Sequence, residues 1–245
     1  MKRLLFLVLA SVAAFTLSAQ INSGTIDYTE HFTFDIGDWM SKEQKEEMLK
    51  RMENGDFDRT GRLTFSTDAF SYSQVADEKA AARGGWWAAA QENPDIFYTS
   101  MVDSTVTDRR RVMDRAFILE EPWQAPKWNI ANRKIGMKEL PLPNQLATSI
   151  SAEGDTLTAY FTPSIPLGIG PRGYGGLPGA IVYLKVQKDG RTTEYTMSGM
   201  QPNAPVELVK PADQEVITRE EFDKQMKRAK EMMERRRRSW ERRRG

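Results

Sequence analysis

The residue pattern with the most familiar chemistry is a glycine fingerprint. Gly168, Gly170 and Gly173 match G-x-G-x-x-G, the spacing with which a dinucleotide-binding loop holds a pyrophosphate at a helix N-terminus. Such a loop requires a helix that opens at the glycines. Residues 175–178 contain two more glycines and a proline, which oppose a helix, and a β-like segment follows. The sequence therefore excludes a dinucleotide site.

Side chains that bind metals or act as nucleophiles are few. The chain has one histidine, His31, and no cysteine, which disfavours a zinc or iron site and a triad built on histidine. No serine lies in a G-x-S-x-G elbow, so His31 is expected to be a strand-surface or partly buried imidazole. Paired carboxylates for glycoside hydrolysis need only spatial proximity and stay open. No catalytic residue, cofactor or metal site is predicted.

Methionine is the other potential metal ligand. The chain has 12 methionines, and the pairs Met48/Met52 and Met226/Met233 have spacings that bring side chains together on a helix. Thioethers can bind Cu(I), but methionine more commonly fills helix-facing cores and adaptable interfaces. We therefore expect packing rather than copper at both pairs.

The first residues have the composition of an export signal. Lys2 and Arg3 precede the uncharged, apolar residues 4–17, and the small residues Ser18 and Ala19 follow. This pattern predicts a secretory signal peptide that is cleaved near Ala19, because the apolar run is shorter than the ~20 residues that cross a bilayer. The mature protein is expected in the periplasm or secreted, with no transmembrane segment and, for lack of cysteine, no lipid anchor.

Charge is distributed unevenly along the chain. Residues 219–245 contain 12 basic and 6 acidic residues, net +6, whereas residues 20–218 contain 21 basic and 28 acidic residues, net −7. A basic tail on an acidic body predicts contact with something anionic: a partner such as an envelope or outer-membrane protein, lipid headgroups, or the body itself. Nucleic acid is not expected for an exported protein. The candidate contacts are four consecutive arginines, Arg235, Arg236, Arg237 and Arg238.

The elements that must position these residues are mainly β. A strand is predicted near 23–36, and an S-x-x-Q capping box at Ser41 predicts a helix at 41–53. The residues at 61–75 are typical of a strand with a turn or bulge at Asp68. Further short β-like segments are predicted at 96–102, 105–113, 115–120, 126–131, 146–151, 156–162, 179–187 and 191–198. Many short strands with close turns favour a curved antiparallel sheet or partly open barrel.

The predicted organisation is a signal peptide, 1–19, a single antiparallel β domain, 20–217, and a basic amphipathic C-terminal helix or tail, 218–245. Within the domain, residues 77–94 are interpreted as a mobile insertion. Its Trp86-Trp87 pair is either an exposed aromatic anchor or a plug over the sheet. The C-terminal helix begins with a T-x-x-E capping box at Thr218. One stripe along that helix carries Phe222, Met226, Ala229, Met233 and Trp240.

The most distinctive stretch is 160–186. It combines an aromatic segment that ends in Ile165-Pro166, a Gly170-Pro171 turn, and a hexapeptide that leads into a hydrophobic strand. The hexapeptide is Gly176-Leu177-Pro178-Gly179-Ala180-Ile181. This stretch resembles the GLPGLI family of exported proteins from Gram-negative bacteria, with Ala180 where the family usually has leucine. The family is uncharacterised, so the resemblance implies a location and an architecture but no reaction.

A second segment carries the same resemblance. Trp128, followed by Lys134-Ile135-Gly136, is similar to an upstream part of the family pattern. The family often has a cysteine and a Lys-Ala pair after that glycine, whereas this chain has Met137-Lys138-Glu139. Any role of that cysteine is therefore absent here.

The alternation of glycine and proline in this stretch predicts a defined loop without a helix. One interpretation is a rigid connection that feeds the buried strand 180–186, because these residues punctuate turns far more often than they form ligand sites. The other is a surface loop that binds a partner. The residues concerned are Gly170, Pro171, Gly176, Leu177, Pro178 and Gly179.

Three classes of function are compatible with this sequence. An exported, non-enzymatic accessory or scaffold protein of the envelope fits the charge asymmetry best. A periplasmic binding or carrier module, which holds an apolar ligand or peptide in a curved sheet, fits the predicted architecture. An enzyme has no support beyond chain length.

Overall fold

The computed structural model describes residues 21–36, 40–76, 94–131 and 136–244, and for Arg237 and residues 240–244 it describes the backbone alone. The predicted signal peptide, 1–19, lies outside the described residues. So does the insertion predicted at 77–94, apart from Pro94.

The described strands form one open sheet of twelve. Their order across the sheet is β12-β6-β5-β4-β3-β2-β1-β11-β10-β9-β8-β7, and the pairing is antiparallel except between β6 and β12. The strands are β1 (Gly24–Phe34), β2 (Arg59–Phe65), β3 (Ala69–Gln74), β4 (Ile96–Ser100), β5 (Thr105–Val112), β6 (Arg115–Pro122), β7 (Asn129–Ile130), β8 (Gln145–Ile150), β9 (Thr156–Thr162), β10 (Ala180–Lys188), β11 (Arg191–Pro202) and β12 (Glu215–Val216). The prediction of a mainly β, antiparallel fold is confirmed.

Two α-helices accompany the sheet in the described part of the chain. Helix α1 (Lys42–Glu53) follows β1, and both hydrogen bonds of the capping box between Ser41 and Gln44 are present. Helix α2 (Arg219–Arg244) ends the chain. The Thr218 amide donates to Glu221 Oε2 and the Glu221 amide to Thr218 Oγ1. Both predicted helices and their starts are confirmed, because reciprocal capping satisfies amides that have no partner within the helix.

A segment that was predicted as one strand with a turn or bulge forms two strands. The segment predicted at 61–75 forms the hairpin of β2 and β3, which turns at residues 66–68. Ser66 produces this turn, since its hydroxyl accepts hydrogen bonds from the amides of Asp68 and Ala69. A serine that accepts from nearby amides favours a turn over a continuous strand.

Strand alternation builds the core on one face of the sheet, which we call the inner face. Ile26, Tyr28 and Glu30 of β1 all point to this face and are fully buried. The register aligns Tyr28 with Gly61 of β2 and Met197 of β11, so the same face continues across the sheet. Burial of this one apolar face provides most of the driving force for folding.

Two parts of the chain cover the inner face. The first is the loop between β9 and β10, residues 163–179, which we call the Gly/Pro segment. It contains one 3₁₀ turn (Pro171–Gly173) that contacts β2, β3 and β4. The second is the first half of α2, which packs on β5 and β6 through Phe222 and Ala229.

Candidate functional site

The Gly/Pro segment is held against the sheet along its length. Its apolar side chains Ile165, Ile169 and Leu177 are buried in the main core. Its backbone is bonded as well. The Ala180 amide donates to Ile165 O at 3.0 Å and the Ile181 amide donates to Ile169 O at 2.9 Å. Two tryptophan side chains also donate hydrogen bonds to the backbone of the segment. Trp123 Nε1 donates to Gly173 O at 3.2 Å, and Trp128 Nε1 donates to Gly175 O at 2.8 Å.

The motif residues of this segment divide by exposure. Gly170, Pro171, Leu177 and Gly179 are buried, whereas Gly176 and Pro178 are exposed. These contacts favour the structural interpretation of the motif over the partner-binding one.

At two positions of the motif, the backbone geometry explains why the residue is glycine. Gly176 has φ +83°, a conformation that side chains with a Cβ rarely adopt. Gly179 packs so closely on β9 that a Cβ would lie inside van der Waals contact of Thr162 O and 3.2 Å from Pro163 Cα. The Gly-Leu-Pro-Gly sequence is therefore what allows the segment to turn and enter β10.

A residue of this segment that the sequence did not mark reaches the sheet. Arg172 lies in the 3₁₀ turn with φ 53° and ψ 33°, a left-handed conformation that is uncommon for residues other than glycine. Its guanidinium carbon lies 4.4 Å from the ring centroid of Phe97 on β4. This distance is that of a cation–π contact.

Arg172 belongs to a set of charged side chains around Phe97 that we call the inner-face charged cluster. Its other members are Asp95, Asp108 and Arg110. The guanidinium carbon of Arg110 is 5.0 Å from the same ring, so two guanidinium groups lie against one buried phenylalanine. Arg110 Nε is 4.0 Å from Asp95 Oδ2 and Arg110 Nη1 is 3.8 Å from Asp108 Oδ2. These pairs are longer than hydrogen bonds, so the charges attract without being locked together.

The electrostatics of the cluster follow from burial. Burial raises the pKa of Asp108 from 3.8 to about 7, although Arg110 lowers it. Burial lowers the pKa of Arg110, and the positive charge of Arg172 lowers it further. Burial also lowers the pKa of Arg172, but Tyr195, Glu30 and Asp95 raise it by more. Arginine stays protonated at any physiological pH, so the cluster holds two permanent positive charges and one carboxyl that titrates near neutrality.

A second polar group on the inner face is fully satisfied. Glu30, with no exposed surface, accepts from the Tyr72 hydroxyl at 2.6 Å and from Gln74 Nε2 at 3.2 Å. Burial, followed by the charge of Glu30, raises the pKa of Tyr72. Both carboxyl oxygens of this buried group therefore have a hydrogen-bond donor, as buried polar groups require.

Sequence reasoning missed the charged cluster, although a signal existed. Val106, Asp108, Arg110 and Val112 alternate along β5 on one face of the strand. Two charged residues between two inward valines, at a spacing of two, indicate inward-facing charge. The partners Phe97 and Arg172 are far away in sequence, and only the pairing of β4 with β5 and the path of the Gly/Pro segment bring them together.

The C-terminal candidates lie on exposed helix. The side chains of Arg235, Arg236 and Arg238 are exposed, and Arg238 Nη2 is 3.6 Å from Glu234 Oε2. The side chain of Arg237 lies outside the described residues. The predicted apolar stripe is only half buried: Phe222 and Ala229 pack on the sheet, but Met226, which lies between them, and Met233 are 46% and 56% exposed.

The remaining sequence candidates have ordinary environments. His31 Nδ1 is 2.7 Å from Asp58 Oδ1, with both side chains about a third exposed, which is the partly buried imidazole that was expected. Met52 is buried at the base of α1. Among the described residues, no group of three or more histidine or acidic side chains could hold a metal ion, and no helix is long and apolar enough to cross a membrane.

Part of the chain matches the model of a protein family whose function is unknown. The model of a family described as "Protein of unknown function (Porph_ging)" matches residues 104–183. The matched range runs from the start of β5 to β10 and includes the Gly/Pro segment. It fits an uncharacterised family, as the resemblance implied, under a description other than the GLPGLI name. No curated protein gives a significant match.

Similar folds occur among solved structures. Two crystal structures of PNGF-II, in space groups P21 and C2, superpose with a TM-score of 0.52 and 8% sequence identity. The alignments cover 84% of this chain but 34% and 33% of theirs, so this chain spans about a third of their length. At this identity the likeness concerns the fold alone, and it agrees with a mainly β architecture.

Proposed function

We propose that this protein is an exported, non-enzymatic accessory protein of the cell envelope, and that the distal half of α2 binds an acidic surface on a partner protein. The observation that carries the proposal is the division of α2. Phe222 and Ala229 fix the first half to the sheet, whereas Met232 and Met233 are at least half exposed and are followed by exposed arginines.

The chemistry of the exposed half fits a protein partner. Methionine side chains adapt to irregular apolar surfaces, and arginine pairs with carboxylates in a planar, two-pronged geometry. A lipid surface is a poorer match, because Glu231 and Glu234 lie among the basic residues and anionic headgroups would repel them. An interfacial helix also needs a broader apolar face than these methionines provide.

The proposal also covers where the protein is located and the family to which it belongs. The charged head, apolar run and small residues at 2–19 support export with cleavage near Ala19. The hexapeptide 176–181 supports placing the chain among the GLPGLI proteins. An intact mass of the protein purified from its native envelope tests the export: a mass that retains residues 1–19 contradicts it.

The carrier alternative has less support. An apolar ligand held by the sheet would occupy the inner face, but Ile165, Ile169 and Leu177 of the Gly/Pro segment already fill it over the central strands. A ligand would have to displace a segment that is bonded along its length.

Site-specific cross-linking in native envelopes tests the proposal. A photo-reactive residue at position 233 should give a salt-sensitive product with one partner, because screening weakens pairs between exposed charges. A matched probe at Ile150, which is 71% exposed on the other side of the sheet, should not give it. Replacing Arg235, Arg236 and Arg238 by glutamine should remove the product.

Two outcomes would contradict the proposed function. One is the same product from both probe positions. The other is salt-sensitive sedimentation of the purified protein with protein-free anionic vesicles, to the same extent as with envelopes, since this would make lipid the target.

A further inference from the structure

We infer that the face of the sheet opposite the inner face, which we call the outer face, binds a neutral polysaccharide, an extended chain of β-1,4-linked sugars. The inference is independent of the proposed function of α2, because it concerns other side chains and a ligand without charge. It rests on an open depression at one end of the outer face and on the side chains of β8 to β11 and β1 that lead to it.

The first step is the depression, which lies at the ends of β9, β10 and β11. It has a volume of about 460 Å³ and is open to solvent, and sites for small ligands commonly measure about 300–1,000 Å³. Thr156, Gln187 and Thr192 line it. The register pairs Gln187 with Thr156 on one side and with Thr192 on the other. Leu157, which follows Thr156, is fully buried, so this row of three belongs to the outer face.

The second step is the set of polar groups that the depression offers to a ligand. Asp35 and Glu153 also line it. Among the residues that the structure describes, the side chains of these two acids and of Gln187 make no hydrogen bond. Carboxylates accept hydrogen bonds, and amides and threonine hydroxyls both donate and accept them. A ligand with many hydroxyl groups can pair with all of these, whereas the two carboxylates would repel an anion.

The third step is the charge of the outer face beyond the depression. The register places Lys185, Glu194 and His31 in one row across β10, β11 and β1. Lys185 Nζ is 3.1 Å from Glu194 Oε1, and His31 Nδ1 is 2.7 Å from Asp58 Oδ1. All four side chains are about a third exposed. Each acid of this row already has a basic partner, so the row favours an uncharged ligand over a charged one.

The fourth step is an aromatic pair on the same face. Tyr183 and Tyr160 lie opposite each other on β10 and β9, with ring centroids 5.9 Å apart, and Tyr160 is half-buried. A tyrosine has an apolar ring and a polar tip, which suits the C–H and hydroxyl groups of a sugar. Tyr183 precedes Gln187 by four residues on one strand, a distance of about 13 Å. The outer face therefore offers contacts over several sugar units.

The shape of this path selects the kind of chain. It follows one strand, β10, from Tyr183 to Gln187 and is therefore nearly straight. Sugars joined by β-1,4 bonds form extended chains, whereas α-1,4-linked glucose curls into a helix. A β-1,4-linked chain can keep contact with the tyrosines and the depression at once.

Calorimetric titration of the purified chain with cellohexaose and with N-acetylchitohexaose, two neutral β-1,4-linked hexasaccharides, tests the inference. We expect at least one of them to bind, and more tightly than the α-1,4-linked maltohexaose. Binding should persist in about 1 M sodium chloride, because screening acts on charges and these ligands have none. A chain truncated after Met233 should bind as the full chain does, so this result does not depend on the proposed function of α2.

Three variants locate the site. Gln187→Ala, Thr192→Val and Tyr160→Ala should each weaken the binding of the hexasaccharide, by about twofold to tenfold where one hydrogen bond is lost. Thr192→Val is nearly isosteric and valine favours strands, so this variant should fold. Thr105→Val is the matched control, since Thr105 is on β5, four strands away from β11 on the far side of β1, and it should bind as wild type does.

The inference is overturned if neither β-1,4-linked hexasaccharide binds, or if maltohexaose binds as tightly as they do. It is also overturned if all three variants bind as wild type does. Salt-sensitive binding of hexalysine in place of the sugars would overturn it as well, because Asp35 and Glu153 would then serve a cationic partner. Circular dichroism of each variant shows whether a loss of binding comes from a loss of fold.

Discussion

The Gly/Pro segment and α2 cover neighbouring parts of one inner face by different means. The segment has no regular structure beyond one turn, so each stretch of its backbone needs a partner on the sheet or within the loop, and it finds them from Ile165 to Ile181. Helix α2 satisfies its own backbone and needs only side-chain contacts, from Phe222 and Ala229, with an ion pair between Arg219 and Glu121. The irregular Gly/Pro segment is therefore bonded along its length, whereas α2 can extend beyond the part of the sheet on which it packs.

The largest effect on stability is expected from a substitution in the Gly/Pro segment. Gly179→Val would drive a side chain into Thr162 O at the end of β9 and into Pro163, the next residue. Neither can move without disturbing the sheet, so we expect a loss of more than ~3 kcal/mol in the free energy of unfolding. Urea denaturation measures it. The control is Gly199→Val in β11, where a Cβ would have nothing within 4 Å. Equal stability of the two variants would show that the segment is not fastened as described.

The next effect is on the helical cover. Phe222→Ala removes the larger of its two anchors, and truncation of a buried phenylalanine costs about 3–5 kcal/mol. The loss should be local in hydrogen exchange: amides of α2 should exchange faster while those of β9 to β11 keep their protection. Met226→Ala, at a 46% exposed position of the same helix, should change stability by less than ~0.5 kcal/mol. Faster exchange throughout the sheet would mean that the two covers are not independent.

A smaller effect on stability is expected at Asp108, which lies between the Gly/Pro segment and α2. Its pKa is raised from 3.8 to about 7 by burial, against the influence of Arg110, Arg219 and Arg172, and Glu121 raises it further. The unfolded chain releases this proton at lower pH than the folded chain, so the group reduces stability as the pH rises from about 4 to about 7. Asp108→Asn should therefore be more stable than wild type at pH 8, by at most on the order of 4 kcal/mol.

The same variant should match wild type below about pH 3, under both pKa values, where Asp108 is mostly protonated in both states. Chemical denaturation at a series of pH values measures this difference. A constant difference across the range would contradict the raised pKa of Asp108.

The smallest effect is expected beyond the support of α2. Truncation after Met233 removes the exposed arginines but keeps Phe222 and Ala229, so the melting temperature should change by no more than ~2 °C. Removal of all residues from Arg219 onward is the matched comparison, and it should lower the melting temperature clearly because Phe117 and Leu119 lose their cover. Similar losses from both truncations would show that the distal half supports the fold.

Much of the fold was predictable because its signals are local. Short alternating segments between turn residues located the strands, and the capping residues Ser41 and Thr218 fixed the starts of both helices within one residue. The hairpin turn at 66–68 was predicted as a turn or bulge at Asp68 within one strand, because the hydrogen bonds of Ser66 that form the turn are ones that its residue type permits but does not require.

The site was less predictable because its signals are not local. Arg172, Phe97 and Arg110 come from three distant parts of the chain, and neither composition nor periodicity connects them. The order of strands in the sheet, which places β4 beside β5 and β11 beside β1, cannot be read from individual strands. The stripe on α2 was predicted as one surface, but only Phe222 and Ala229 of it are buried, while Met226 between them and Met233 beyond them are exposed.

The two outermost strands of the sheet, β7 and β12, have two residues each. Beside β8, Gln145 Nε2 donates to Ala131 O and Ser149 Oγ to Lys127 O. Beside β6, ion pairs join Lys210 to Glu120 and Arg115 to Glu215. An incoming peptide would have to displace these contacts before it could extend the sheet, and short, charged edges of this kind oppose association between sheets. Strand addition at these two edges is therefore disfavoured, and the protein should stay monodisperse at concentrations at which sheets with open edges associate.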